Sequence, residues 1–101
     1  MNINEALDEF LLDNQEKRYV HLRLQHNGRR KITLIQGLNE DFDFKKIIKY
    51  IKKASSCGGT ILEDEEYGKV LEFQGDQRSS IFDFLNKELK IEKELIKIHG
   101  Y

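Results

Sequence analysis

The chain has 101 residues, 35% of them charged, with 17 Lys and Arg against 18 Asp and Glu for a formal net charge of −1. That length fits one domain with a single two-layer core, and the near-neutral balance excludes binding to nucleic acid through bulk charge alone. The single cysteine, Cys57, excludes an internal disulfide or a zinc site and points to a reducing compartment. No basic flank with an apolar run opens the chain, and no stretch approaches about 20 consecutive apolar residues. Neither export nor membrane insertion is expected, and the cytosol is the expected location.

Taken in order, residues 1–18 form an acidic N-terminal segment in which every charge up to Glu16 is negative. Ile3, Ala6, Leu7, Phe10 and Leu11 recur at helical spacing, with Asn4 as a cap, but a helix this short is marginal in water. A mobile tail is expected there, with a turn or two of helix as the less favoured alternative. From Lys17 to Lys31 every charge is instead basic.

Tyr19–Gln25 alternates, with Val20, Leu22 and Leu24 on one side and Tyr19, His21, Arg23 and Gln25 on the other, which predicts a half-buried strand. Lys31–Gln36 is a second strand with Ile32 and Leu34 assigned to the inner side. Between them, Asn27-Gly28 flanked by alternating apolar residues predicts a hairpin. Its tip projects Arg29, Arg30 and Lys31, with His26, into solvent. Guanidinium groups on a rigid turn offer planar donor forks suited to phosphate, although an ordinary solvated hairpin fits the same pattern.

Gly37 breaks the second strand, and an acidic linker containing Glu40, Asp41 and Asp43 leads into a helix over Asp43–Ala54. Phe44, Ile47, Ile48, Ile51 and Ala54 fall on one side of it at about 100° per residue, the side to be buried. Lys45, Lys46, Lys49, Lys52 and Lys53 fall together on the other side, with no acidic residue between Phe44 and Ser56. Asp43 caps the first turn, and the last lysines suit the negative pole of the helix dipole. By itself the lysine stripe also fits a plain solvated face. Ser55-Ser56-Cys57-Gly58-Gly59 ends the helix, with glycine available for a left-handed cap.

Thr60–Glu63 is a third strand, Asp64–Gly68 an acidic turn, and Lys69–Gln74 a fourth strand with Leu71 and Phe73 inward. Gly75-Asp76 starts a second helix, with Asp76 as its cap and Ile81, Phe82, Phe84, Leu85 and Leu89 as its apolar face. Leu95–His99 is a final strand. The order of elements predicts an α+β fold: a two-layer α/β sandwich, with a mostly antiparallel or mixed sheet of about five strands and two helices on one face. The other sheet face stays partly exposed. Charge segregated by segment allows one basic and one acidic face on a nearly neutral molecule.

Catalytic chemistry finds little to stand on. His21, His26 and His99 sit in different segments, with no cysteine or carboxylate at metal-ligand spacing, so no metal is expected and the histidines are assigned to strand faces. Gly58-Gly59-Thr60 and Gly68-Lys69 lack the pattern and context of a phosphate-binding loop. Cys57 has no helix N-terminus in front of it to lower its pKa. Glu65 and Glu66 lie in a turn with no expected pocket. No enzyme activity and no cofactor are expected; a protein-interaction module is the reading from another class.

The segments Tyr19-Val20-His21-Leu22-Arg23, Asn27-Gly28-Arg29, Gln36-Gly37, Cys57-Gly58-Gly59-Thr60, Glu66-Tyr67-Gly68, Gln74-Gly75-Asp76-Gln77-Arg78 and His99-Gly100-Tyr101 stand in an order and at a spacing that resemble the SUI-domain family, founded by eukaryotic translation initiation factor 1. The resemblance spans residues 19–101, the expected folded domain. It implies an α/β sandwich that binds the small ribosomal subunit beside the P site, holds the scanning complex open, and leaves when the start codon pairs.

The resemblance also implies partners and a site. Asn27, Gly28, Arg29, Arg30 and Lys31 match the family's basic hairpin loop, which approaches ribosomal RNA and the initiator tRNA. Lys45, Lys46, Lys49, Lys52 and Lys53 match its basic helix, and Gln77 and Arg78 the polar start of its second helix. Initiation factors 2, 3 and 5 are the other expected partners, for a protein that is a monomer when free. The chain departs from the family pattern in a hairpin loop one residue shorter, a shorter and strongly acidic tail, and a turn before Tyr67 that carries Asp64-Glu65-Glu66 without proline. An alternative within the family is a SUI-domain protein of non-canonical initiation or ribosome recycling, but such chains usually carry further domains, for which no room is expected here.

Overall fold

The protein is described from a computed structural model, in which residues 19–100 are placed well enough to describe. The expected tail, residues 1–18, including the helical spacing from Ile3 to Leu11, lies outside the described residues. Five strands form one sheet: β1 (Val20–Asn27), β2 (Arg30–Gln36), β3 (Gly59–Asp64), β4 (Gly68–Gln74) and β5 (Ile96–His99), in the spatial order β3-β4-β2-β1-β5. All neighbours are antiparallel except β1 and β5, which run parallel, so the sheet is mixed. Two helices, α1 (Phe44–Ser55) and α2 (Arg78–Lys87), cover one face.

The hairpin turn places Gly28 and Arg29 at its centre, because Asn27 already pairs with Arg30. Gly28 has φ +66°, and glycine at the first central position is the preference of a type II′ turn, whose twist matches the flanking strands. A two-residue loop sets the register of the whole hairpin, and that register corrects the expected inner face of β2. Leu22 pairs with Ile35 and Leu24 with Thr33, so Thr33 and Ile35 face the helices with Val20 and Leu22, while Ile32 and Leu34 face the other way. In Lys31–Gln36 both alternating sets contain apolar residues, and a one-residue shift exchanges the faces. Central position in the sheet adds to the ambiguity: β2 is flanked on both sides, and its last four residues are all buried.

The core joins Leu22, Ile35, Leu71 and Phe73 of the sheet to Ile51 of α1 and to Ile81 and Leu85 of α2, the last two one helical turn apart. Six of these seven have no accessible surface and Ile51 has 2%; burial of such a side chain is worth about 1.5–3 kcal/mol. Phe44, Ile47 and Ile51 are the buried residues of α1. Two residues expected beside them are placed differently: Ile48 is half-buried at the border of the lysine face, and Ala54 is exposed. A face about 100° wide is all that one sheet can cover, and both residues lie at its margins.

The caps follow the sequence at one helix and depart from it at the other. The Asp43 carboxylate accepts the Lys46 N–H at 3.2 Å, as the N-cap of α1. At the other end Ser56, not glycine, takes the left-handed conformation with φ 49°. The N-cap position of α2 is Gln77, without a side-chain cap bond, and Asp76 stands one residue further out, from where its Oδ1 still accepts the Arg78 N–H at 3.3 Å. The buried hydroxyl of Thr33 completes the cap: it accepts the Gln77 N–H at 2.9 Å and donates to the Gly75 carbonyl at 2.7 Å.

Candidate nucleic-acid interface

Thr33 ties the base of the hairpin to the start of α2, and the Lys31 carbonyl accepts the Gly75 N–H at 2.7 Å beside it. The same end of the sheet receives the end of α1. Gly59 pairs with Phe73, the Gly58 carbonyl accepts the Gln74 N–H at 2.9 Å, and the Ser55 and Ser80 hydroxyls lie 3.5 Å apart. Three regions distant in sequence therefore converge: the Arg29–Lys31 tip, the Gly75–Arg78 loop, and the C-terminal turn of α1 with Lys52 and Lys53 together with the Gly58–Gly59 link that follows it.

Within this end the hairpin residues do not all point one way. Arg29 occupies the turn itself. Asn27 and Arg30 share the open sheet face by register, while Lys31 shares the helix-side face with His26. All five hairpin candidates are exposed, and a side chain at Gly28 would meet nothing within 4 Å. Lys31 is close enough to Asp76 to favour its charged form.

The stripe on α1 runs away from this end. Lys45, Lys49, Lys52 and Lys53 line a shallow open groove floored by Ile48 and closed by Ser56 and Cys57. Lys46, exposed on the same helix, does not line the groove. From Lys45 to Lys52 the helix rises about 10 Å, comparable to several phosphates along a nucleic-acid strand. Burial pushes the Cys57 thiol pKa up, so the groove holds a thiol and not a thiolate.

Gln77 and Arg78 complete the end. Gln77 Nε2 donates to the Gln74 carbonyl at 3.1 Å. Arg78 makes a two-pronged bond to Asp76, Nε to Oδ1 and Nη2 to Oδ2, both at 2.8 Å. The bonded guanidinium holds the Asp76 carboxyl down at about 2. On its far side Arg78 lies so close to Gly100 that a Cβ there would run into the guanidinium. The sequence motifs at Gly75–Arg78 and His99-Gly100 are therefore one spatial unit.

The acidic segments gather at the opposite end. The β3–β4 turn carries Asp64, Glu65 and Glu66, with Asp64 Oδ1 accepting the N–H groups of Glu66 at 2.8 Å and Tyr67 at 3.0 Å. Those two bonds, Tyr67 first, lower the Asp64 pKa. The Glu40 carboxylate reaches Gly68, so the acidic linker joins the same end. The molecule is electrically polar along its strands, cationic at the hairpin end and anionic at the β3–β4 turn, a separation that steers and orients an approaching polyanion.

Three features of this end of the fold and its sheet face have no local sequence signature. Thr33 has an alternating strand position as its only signal, which does not reveal that its hydroxyl completes a helix cap. The Asp76–Arg78 clamp has i,i+2 spacing, which no helical rule anticipates. His21 and His99, assigned separately to strand faces, prove to be in contact, Nδ1 to Nε2 at 3.0 Å, because β5 pairs with β1. Among the described residues no group of three or more metal-ligating side chains is assembled, and no helix is long and apolar enough to cross a membrane.

Fold and surface together define a small mixed-sheet α/β sandwich with its cations concentrated at one end. The family model described as Translation initiation factor SUI1 matches residues 16–92. The protein translation factor SUI1 homolog of Salix bakko is 43% identical over 106 residues, 98% of this chain and 94% of that one. The eukaryotic translation initiation factor eIF-1 of Saccharomyces cerevisiae is 43% identical over 84 residues, 82% of this chain and 78% of that one. The SUI1 homolog of Zea mays reaches 46% over 86 residues, 84% and 75% of the two chains. Among solved structures, the C-terminal domain of human eIF2D superposes with a TM-score of 0.71 at 16% identity, covering 78% of this chain and 41% of that one, a likeness of fold. The chain belongs to the SUI1 family of translation initiation factors.

Proposed function

We propose that this protein binds the small ribosomal subunit near the P site, promotes scanning, enforces start-codon selection, and dissociates when the start codon is recognised. The observation that carries the reading is the convergence of the Arg29–Lys31 tip, Lys52, Lys53 and the Gln77-Arg78 helix start at one end of the sheet, opposite the acidic turn. Cations on a rigid edge neutralise phosphates, release counterions, and position the protein on RNA backbone and shape without reading sequence. Lys45, Lys46 and Lys49 extend that contact along α1, and Asn27 and Gly28 let the turn approach closely.

Regulated departure is a matter of differential affinity. A factor that binds one ribosome conformation more tightly than another by a few kcal/mol is released when the second is populated, with no chemistry on a substrate. Partners in this reading are ribosomal RNA with the initiator tRNA nearby, together with initiation factors 2, 3 and 5. The protein acts in the cytosol and is a monomer when free.

The test is binding of labelled protein to purified small subunits across about 50–200 mM salt. Affinity that falls log-linearly with salt, with a slope reduced by roughly 0.7–0.9 for each cation removed, supports the reading. A triple variant Arg29→Glu, Arg30→Glu, Lys31→Glu that melts normally yet binds with unchanged affinity would remove the hairpin from the site.

A further inference from the structure

The sheet face opposite the helices carries a second arrangement of rings and cations. Register sets His21 beside Lys97 and Arg23 beside His99 on this face. Three contacts organise the group. His21 Nδ1 lies 3.0 Å from His99 Nε2, the Tyr67 ring meets His21 edge-on with centroids 5.9 Å apart, and Arg23 Nε donates to Gln36 Oε1 at 2.6 Å. Lys97 Nζ stands 5.0 Å from the centroid of Tyr19, a ring that is 45% exposed. Rings and cations thus alternate along β1 and β5, about 5 Å apart between strand axes, and the Tyr67 ring joins them from the β3–β4 turn.

Around His21 the neighbouring charges are positive. Apart from burial, every influence on the His21 ring, from His99, Arg23 and Lys97, opposes its protonation, as cationic surroundings do. The strand carboxylates of the same face lie away from β1 and β5: Glu72 on β4, with β2 between it and β1, and Asp64 on the edge strand β3, where with Glu65 and Glu66 it borders Tyr67 and accepts the N–H of that residue at 3.0 Å. Gln25, Asn27 and Arg30 continue the face from Arg23 to the hairpin turn.

We infer that the open sheet face is a binding surface for single-stranded RNA, with bases stacked on the Tyr67, His21 and Tyr19 rings and phosphates held by Arg23 and Lys97. Arg23 and Lys97 beside the rings suit a polyanion. Among polyanions, unpaired RNA uses both halves of the pattern, because each base offers a π face to a ring while each phosphate takes a cation. Duplex RNA keeps its bases stacked and leaves the rings without partners. An acidic peptide uses the cations and leaves the rings idle. The surface is separate from the lysine face of α1, which lies on the other layer, and meets the hairpin only through Asn27 and Arg30, so a single strand can pass from the turn onto the sheet.

The experiment titrates the isotopically labelled protein with an oligouridylate of about 12 nucleotides, a length within the range one such platform covers, following amide shifts and fluorescence anisotropy. Expected are shifts clustered at residues 19–23, at Tyr67 and at Lys97 to His99, about tenfold weaker binding for Tyr67→Ala, retention of affinity in Tyr67→Phe, and weakened binding for Lys97→Glu. Shifts confined to the hairpin and α1, or equal affinity for Tyr67→Ala and the unmodified protein, would overturn the inference. An oligoglutamate peptide that matches the oligonucleotide in affinity and in the residues shifted would reassign the face to an acidic protein segment. Because the probe is free RNA, failure here leaves the ribosome reading to its own titration.

Discussion

His21 and His99, 78 residues apart in sequence, share a hydrogen bond of 3.0 Å across the one parallel strand pair in the sheet. A ring–ring bond of this type needs one nitrogen with a hydrogen and one without, so it exists only while one of the two rings is neutral. Burial first, then His99, Arg23 and Lys97, lower the His21 pKa below its ordinary 6.5.

The pH dependence of stability follows. The folded state binds the His21 proton less readily than the unfolded chain, so the contribution is fully present above the unfolded pKa of about 6.5 and is lost as pH falls through that value toward the depressed folded one. Thermal melts should move to lower temperature between about pH 7 and pH 5, and His21→Asn should flatten that change. Equal acid sensitivity in the variant would assign the effect to other groups.

The clamp between Asp76 and Arg78 predicts a second, more acidic transition. With the Asp76 carboxyl held at about 2 against an ordinary 3.8, its contribution is present above 3.8 and disappears as pH falls toward 2. Both side chains are partly exposed, at 36% for Asp76 and 26% for Arg78, so solvent screening limits the effect. Asp76→Asn is expected to cost about 1 kcal/mol or less near neutral pH and to remove the low-pH step from urea melts.

Gly100 supports the same guanidinium from the other side. Gly100→Ala places a methyl group against Arg78 and is expected to displace it from Asp76. The Asp76 carboxyl then titrates closer to 3.8, which a carbon-detected NMR titration reads directly. An unchanged Asp76 titration would show that the strand end yields instead of the arginine.

On α1 the two sides of the helix predict graded losses. Ile51, 2% exposed in the core, should cost about 2–5 kcal/mol as Ile51→Ala. Ile48 is half-buried among the lysines, so Ile48→Asp leaves its charge a route to solvent and should destabilise less than Ile51→Asp. Urea denaturation of the three variants decides it, and equal loss for the two aspartates would place Ile48 in the core.

The hairpin turn gives a backbone prediction. Gly28 has φ +66° with open space around its Cα, so Gly28→Ala introduces conformational strain without a clash and should cost about 1 kcal/mol. Loss of cooperative folding would mean that the turn sets the register of the whole sheet.

Local chemistry by itself determined the elements and most of their burial. The period of Phe44, Ile47 and Ile51, the Asp43 cap, the inward Leu71 and Phe73, the hairpin at Gly28 and the two-faced α1 are properties of neighbouring residues, and short-range sterics and hydrophobic spacing dictate them wherever the segment ends up. The ordered motifs from Tyr19 to Gly100 likewise identified the family. Tertiary structure decided what depends on partners distant in the chain. The face of β2 followed from its register against Leu22, since Ile32-Thr33-Leu34-Ile35 is apolar in either phase. Thr33 capping α2, Gly100 against Arg78, His21 bonded to His99, and the gathering of hairpin, helix end and loop at one cationic pole all arise because β5 pairs with β1 and β4 with β2. Strand pairing brings together residues that no local pattern relates, so the surface it assembles becomes visible only in the folded chain.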